Sequence, residues 1–151
     1  MRNFFSYLAF LGICLSLISC ASVSNVNEWS ALQGETYQEV PRAKLTNTAF
    51  ADDYQDKLVT FKASFGQILA KPMVSNFDPK EFLGISLLSY GVMKGKAEDS
   101  AGFMFYNLLE KSKYDMVSSL KMGQGIKVSG RVHTLTNGTL SLYIHKIEVL
   151  P

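Results

Sequence analysis

The chain has 151 residues, with 15 Lys plus Arg against 13 Asp plus Glu and only two Cys. This length fits one domain, and two Cys are too few for a disulfide-rich scaffold or a thiolate zinc site. The near balance of charge gives no basic footprint for nucleic acid, so the composition predicts no nucleic acid partner.

The first residues have the pattern of an export signal. Met1–Asn3 is a short, positively charged start, and the stretch from Phe4 to Ile18 contains no charged residue. As a helix this stretch would span about 22 Å, which is short of the roughly 30 Å hydrocarbon core of a bilayer. A charged start followed by a short apolar region is typical of a secretory signal peptide. We therefore predict a signal peptide at residues 1–19 rather than an uncleaved membrane anchor.

The apolar stretch ends with Leu17-Ile18-Ser19-Cys20, which resembles the lipobox of bacterial lipoproteins. The resemblance implies that the Cys20 thiol carries diacylglycerol, that the signal is cut before Cys20, and that the new amino group is acylated, with palmitate as an expected acyl chain. Ala21, with no Asp, resembles lipoproteins sent to the outer membrane, so we expect a periplasm-facing protein anchored there. Because Cys14 leaves with the signal and Cys20 carries lipid, the mature chain is expected to have no free thiol.

The mature chain divides into two parts. Residues 20–45 comprise the lipidated Cys and a segment rich in Ser, Asn, Gln and Glu without a sustained apolar period, which we interpret as a flexible tether. Residues 46–151 are predicted to form the folded domain.

Three segments show the alternation of a half-buried β-strand. Apolar and polar residues alternate from Val59 to Phe65, from Ile126 to Val132 and from Leu140 to Ile144. The last two segments flank Asn137-Gly138, which is a strong hairpin signal.

The register of this hairpin follows from its faces. A two-residue loop would put apolar residues opposite polar ones. A three-residue loop, Thr136–Gly138, instead places Val132 opposite Leu142 and Gly130 opposite Ile144, so that one side is consistently apolar. We therefore predict the longer loop.

Residues 82–90 are ambiguous. Asp78-Pro79 resembles a helix start and Gly91 a helix end, whereas Leu83, Ile85 and Leu87 alternate as in a strand. We prefer the strand and keep the helix as the alternative.

The next segment is predicted to change from strand to helix. Residues 101–106 are interpreted as a strand. Asn107, with Glu110 three residues later, offers a helix cap, and an apolar stripe suggests a helix that ends before Gly123.

Three strands, a short helix and a hairpin follow one another in the order of the OB-fold, a five-stranded Greek-key barrel. Residues 120–132 resemble the passage from the helix to the fourth strand in small bacterial OB domains, and residues 54–61 resemble the start of their first strand. Over roughly residues 50–150 the chain is similar to the tRNA-anticodon-like OB domains of exported bacterial proteins. We expect a mainly β fold, a five-stranded OB barrel with one short helix, preceded by the signal peptide and tether.

No catalytic motif stands out in the sequence. It contains no Gly-x-Ser-x-Gly elbow, His-Glu-x-x-His helix or phosphate-binding Gly-Lys-Ser/Thr loop. In the predicted register His133 and His145 would lie about 13 Å apart, too far to share a metal ion. The sequence therefore predicts no enzyme, no catalytic residue, no metal and no cofactor.

A binding role is the expectation that remains, because OB barrels usually bind ligands on the second and third strands and the flanking loops. The candidate ligand face consists of Ser86, Leu88, Met104, Tyr106, Arg131 and Tyr143. Lys94 and Lys96, on a Gly-flanked loop, could contact an anion or lipid headgroups. The predicted function is that of a lipid-anchored, non-catalytic module for an envelope oligosaccharide, peptide or small molecule. The alternative is an accessory or assembly subunit that docks on another envelope protein complex.

Overall fold

The computed structural model describes residues 36–72, 77–97, 106–134 and 140–151. Six strands occur within these ranges: β1 (Gln38–Glu39), β2 (Leu58–Leu69), β3 (Phe82–Leu88), β4 (Tyr106–Glu110), β5 (Gly125–Thr134) and β6 (Leu140–Val149). The predicted signal peptide, the lipobox and Cys20 lie outside the described residues.

The helices are short. They are α1 (Arg42–Leu45), α2 (Ala51–Tyr54) and α3 (Asp115–Ser118), with single 3₁₀ turns at Thr48–Phe50, Val92–Lys94 and Lys111–Lys113. Within the described part of the chain, no helix has the length and apolar character that crossing a membrane requires.

Strands β2 to β6 close into a five-stranded barrel, and the long strand β2 pairs with a different neighbour along each of its halves. The first half of β2 pairs antiparallel with β5 and its second half pairs antiparallel with β3. β3 pairs antiparallel with β4, β4 runs parallel to β6, and β6 pairs antiparallel with β5. The resulting order β2-β3-β4-β6-β5-β2, with α3 between β4 and β5, is that of the OB-fold. The predicted fold class is confirmed.

Alternate residues of the strands fill the barrel. Val59, Phe61, Ala63 and Phe65 of β2 point inward, where they join apolar residues of β3, β5 and β6 in one buried cluster. Val117 of α3 is 1% exposed and belongs to the same cluster. The short helix therefore packs onto the barrel instead of standing apart from it.

The predicted domain boundary at residue 46 is wrong, because the preceding segment is part of the packed domain. β1 pairs in parallel with β2, Gln38 opposite Val59, and Val40 and Leu45 are both buried in the core. Val40 and Leu45 are isolated apolar residues in a polar sequence, so they form no helical or strand periodicity that would reveal their burial. Their burial depends on contacts with strands that are distant in the chain.

Residues 82–88 form strand β3, as preferred over a helix. The side chains of Leu83, Ile85 and Leu87 are buried, and the strand pairs with β2 on one side and β4 on the other. Because β3 is hydrogen-bonded to a neighbour on both edges, this segment is stable as a strand, in agreement with its weak helix formers.

The short helix predicted before Gly123 exists as α3, but its predicted start at Asn107 is wrong. Residues Tyr106–Glu110 are strand β4, and Asn107 Nδ2 donates a hydrogen bond to the Ile85 carbonyl (2.9 Å) in the neighbouring strand. Leu108 and Leu109 are both fully buried on opposite faces, which hides the alternation that identifies a strand. Residues 101–105 of the predicted third strand lie outside the described residues.

The predicted hairpin register is confirmed. Val132 lies opposite Leu142 and Gly130 opposite Ile144. The predicted register would continue to Ser129 opposite His145, but an irregularity between Ser129 and Gly130 shifts the pairing, so that Ser129 faces Lys146. The loop itself, residues 135–139, lies outside the described residues.

Candidate ligand-binding cleft

The predicted ligand face is partly closed. Tyr143 has no exposed surface. Its ring lies edge-on to Phe82 (5.8 Å between ring centroids) and to His145 (5.4 Å), and Lys113 Nζ lies 5.7 Å from the ring centre. We therefore remove Tyr143 from the candidate site: it is on the outer side of β6, but neighbouring side chains cover it.

The Tyr143 hydroxyl donates a hydrogen bond to Glu110 Oε1, and Lys113 Nζ lies 3.3 Å from Glu110 Oε2. Burial raises the pKa of Tyr143. The hydrogen bond to Glu110 and the negative charge of the Glu110 carboxylate raise it further. Burial alone would raise the pKa of Glu110, but the hydrogen bond from Tyr143 and the charge of Lys113 outweigh it, and this pKa is lowered. The cluster therefore holds a neutral phenol and an ionised carboxylate, an arrangement that joins β6 to β4.

The other residues of the predicted ligand face are not all exposed to solvent. Ser86 and Leu88 of β3 are half-buried, as is Arg131 of β5, which pairs with Tyr143. Tyr106 begins β4, but its side chain lies outside the described part of the structure, as does all of Met104. Of the predicted face, the described residues Arg131 and Tyr143 lie opposite each other on neighbouring strands, and a ligand role for the remaining residues stays a prediction.

The two histidines have separate surroundings. His145 Nδ1 lies 3.0 Å from the Tyr37 hydroxyl. Burial lowers the pKa of His133, and the charge of Asp56 opposes this effect. In the described ranges no group of three or more His, Cys, Asp or Glu is arranged to hold a metal ion.

An open cleft lies elsewhere, at the end of the barrel where β3 ends and β5 begins. Its volume is about 440 Å³, within the range of small-molecule sites. We call it the Tyr90 cleft, and it is lined by Ser64, Tyr90, Gly91, Lys94, Lys96, Gly123, Gln124, Gly125, Leu150 and Pro151.

One wall of the cleft is the tight loop Gly91–Lys96. The Lys96 amide donates to the Gly91 carbonyl (3.1 Å), and the Gly91 amide donates to Ser64 Oγ (3.2 Å). Gly91 has φ +76°, and a Cβ there would lie 2.4 Å from the Lys96 carbonyl oxygen, so only glycine fits this closure. The loop is therefore held shut and tied to β2.

The floor is built around Tyr90. A Cβ at Gly125 would lie 2.9 Å from Tyr90 Cε2, so the missing side chain of Gly125 lets the ring lie close to the start of β5. Lys62 Nζ lies 5.9 Å from the centre of the same ring. The opposite wall is held by hydrogen bonds from the Gly123 amide to the Phe65 carbonyl (2.7 Å) and from the Phe65 amide to the Gln124 carbonyl (2.8 Å).

The charged side chains that line the cleft are all positive. Its ionisable side chains are Lys94, Lys96 and Tyr90, and none of the described residues that line it is Asp or Glu. An aromatic ring beside ammonium groups suits a polar or anionic ligand. Sequence analysis pointed to Lys94 and Lys96 through the flanking glycines, but it missed Tyr90 and Gly125, which the pairing of β2 with β5 brings together.

Comparison with known proteins gives fold-level similarity only. No family model matches the chain, and no curated protein matches it. Among solved structures, a replication protein A heterotrimer bound to single-stranded DNA is similar with 13% identity and a TM-score of 0.40, covering 62% of this chain and 57% of that one. A protein described as an aspartyl-tRNA synthetase from Leishmania major Friedlin is similar with 15% identity and a TM-score of 0.49, covering 80% of this chain and 23% of that one. The chain thus spans less than two thirds of either neighbour.

The prediction that excludes nucleic acid partners is contradicted, because one neighbour is described as bound to single-stranded DNA and the other as a tRNA synthetase. The physical weakness of that prediction lies in its use of net charge. Net charge is a sum over the chain and does not show that Lys94 and Lys96 line the same cleft.

Proposed function

We propose that the chain is a lipid-anchored protein of the bacterial envelope whose OB barrel is a non-catalytic binding module, with the Tyr90 cleft as its ligand site. The observation that carries this proposal is the cleft itself. It has a volume of about 440 Å³ and combines an aromatic ring with two lysines on a closed loop.

The chemistry of the cleft favours binding over catalysis. Its lining offers amide and hydroxyl groups, ammonium groups and a phenol, but no carboxylate or imidazole side chain that would serve as a general base among the described lining residues. A loop closed by backbone hydrogen bonds can present these groups in a fixed arrangement, which lowers the ordering cost of binding.

The anchoring part of the proposal rests on the sequence. The charged start, the short apolar stretch and Leu17–Cys20 resemble a lipoprotein signal, and Ala21 favours the outer membrane as the destination. Mass spectrometry of the mature N-terminus should find an acylated Cys20. An intact Met1, or cleavage elsewhere, would contradict the anchor without affecting the cleft.

The binding role can be tested by NMR on the isotopically labelled mature chain in detergent. Suitable probes are a tetramer of N-acetylglucosamine, a tetra-alanine peptide and glycerol 3-phosphate. We expect at least one probe to shift the resonances of Tyr90 and Gly125 saturably. The variant Gly125→Ala should weaken that response, because the new methyl group displaces the ring, whereas Gln67→Ala, an exposed change on β2, should not. Saturable shifts confined to another surface would contradict the assignment of the cleft.

A further inference from the structure

Exposed apolar side chains occur on both loops that frame the Tyr90 cleft. Val92 is 38% exposed, Met93 61% and Met122 62%. The loops touch, because a Cβ at Gly123 would lie 2.6 Å from Met93 Cγ. These three side chains, which we call the apolar rim, therefore edge the same cleft at this end of the barrel.

Lysines lie on the same two loops as the apolar rim. Residues 89–97 and 119–124 contain Lys94, Lys96 and Lys121 and no Asp or Glu. Lys94 and Lys96 also line the cleft. The acidic pair Glu98-Asp99 follows in the sequence, outside the described residues. Across the two loops, apolar tips are combined with positive charge.

This combination fits the surface of an anionic bilayer better than it fits water. Met and Val side chains gain by leaving water for the interface, and lysines nearby gain from anionic headgroups. Long lysine side chains can keep their ammonium groups at the phosphate level while their stems stay near apolar groups. The tight Gly91–Lys96 loop presents Val92 and Met93 without a long flexible segment.

The proposed anchor keeps the barrel near lipid. Fifteen residues lie between Cys20 and Thr36, the first residue described. Even fully extended, that length reaches only about 55 Å. Contact between the rim and the bilayer is thus within range of the anchor.

We infer that this end of the barrel docks on an anionic lipid surface, with the apolar rim in the interface and the Tyr90 cleft around a headgroup phosphate. The inference rests on the proposed lipid anchor and binding role. It adds a ligand class, a phosphate-bearing lipid headgroup, and an orientation of the barrel on the membrane.

The test uses the lipidated mature chain, which is expected to lack a free thiol, with a single added Cys. Met93→Cys carries a nitrobenzoxadiazole fluorophore, and the chain is reconstituted in vesicles of phosphatidylglycerol or phosphatidylcholine. Tyr114→Cys is the matched control, since Tyr114 is 47% exposed but follows β4 at the far end of β3 from the cleft. We expect a blue shift and quenching by lipid-borne quenchers at position 93 in phosphatidylglycerol, and neither at position 114.

Charge variants test the headgroup contact. Lys94→Gln with Lys96→Gln should reduce the quenching at position 93 at least threefold. Lys80→Gln with Lys111→Gln, two exposed lysines of which one precedes β3 and the other follows β4 beside it, should leave it unchanged. Full water exposure of the label at position 93 in anchored protein on phosphatidylglycerol would overturn the inference. Equal quenching in both charge variants would overturn the headgroup contact.

Soluble probes separate the remaining possibilities. If glycerol 3-phosphate shifts the cleft resonances while the position 93 label stays in water, the cleft is a site for free phosphate esters, and lipid docking is wrong although the binding role stands. If the label responds in detergent as protein concentration rises, the rim contacts a second copy, which also overturns lipid docking. Insertion of the label without any shift of cleft resonances by lipid or probe would contradict the headgroup site and the proposed binding role while leaving membrane contact intact.

Discussion

The hydroxyl of Tyr143 donates a hydrogen bond to the carboxylate of Glu110 and thereby joins two strands that run parallel, β6 and β4. Tyr143 is opposite Leu108 in this pairing, so its side chain reaches two residues further along the same face of β4. The parallel pairing between β4 and β6 covers only Tyr106–Leu108 and Ser141–Tyr143. The side-chain hydrogen bond therefore lengthens the contact between β4 and β6 beyond their short backbone pairing.

We predict that Tyr143→Phe lowers the free energy of unfolding by about 1–3 kcal/mol, because it keeps the buried ring but leaves the Glu110 carboxylate without its donor. Denaturant unfolding of the full chain measures this change. Tyr114→Phe, a change at an exposed tyrosine, is the control and should have little effect. An unchanged midpoint for Tyr143→Phe would show that the bond adds nothing to stability.

The same pair predicts a dependence of stability on acid. The pKa of Glu110 is lowered on folding by Tyr143 and Lys113, which outweigh burial, so the unfolded chain binds the proton more readily. The resulting stabilisation is fully present above the ordinary Glu pKa of about 4.3 and is lost as the pH falls through the lower folded value. In Glu110→Gln the unfolding free energy should fall less steeply below about pH 5, as measured by denaturation at successive pH values. An identical slope in both proteins would contradict the prediction.

A third prediction concerns the start of the domain. Leu45→Ala should lower the free energy of unfolding by about 2–5 kcal/mol, because Leu45 is 1% exposed in the main core. Gln38→Ala, an exposed change in β1, should stay within about 0.5 kcal/mol. Thermal and denaturant unfolding distinguish the two. Equal stability of Leu45→Ala and the parent chain would mean that the segment is not packed as described.

A fourth prediction concerns the irregular pairing of β5 with β6. A Cβ at Gly130 would lie 2.2 Å from the Tyr143 carbonyl oxygen, which is backbone and cannot rotate away. We expect Gly130→Ala to destabilise the barrel by about 1–3 kcal/mol, as overpacking does. Gln67→Ala at an exposed position of β2 is the control, and a neutral Gly130→Ala would show that the two strands separate easily here.

Sequence patterns predicted the fold where each strand has one apolar and one polar face. The hairpin register followed from Val132 and Leu142 because a slip would have exposed one of them. Pattern reasoning failed at Leu108 and Leu109, since a strand buried on both faces loses its alternation. It also failed at Val40, whose place in the core depends on a strand that begins eighteen residues later.

The candidate cleft was less predictable than the fold. Lys94 and Lys96 were identified because glycines flank them, which is a local signal. Tyr90 and Gly125 are 35 positions apart in the sequence, and they meet only because Ser64 of β2 lies opposite Gly125 and bonds to the loop after Tyr90. No local pattern encodes such a meeting, so the aromatic floor of the cleft required the structure.

The position of β6 in the sheet has a consequence for how the chain reaches its native state. β6 lies between β4 and β5, and it is the last strand among the described residues. Until residues 140–149 have joined, β4 has no partner on one edge, β5 keeps only β2, and apolar side chains such as Leu109 and Ile126 face an unfinished interior. Closure is therefore a late, long-range event, which favours slow folding. A chain of this kind therefore cannot complete its barrel until residues 140–149 have been synthesised.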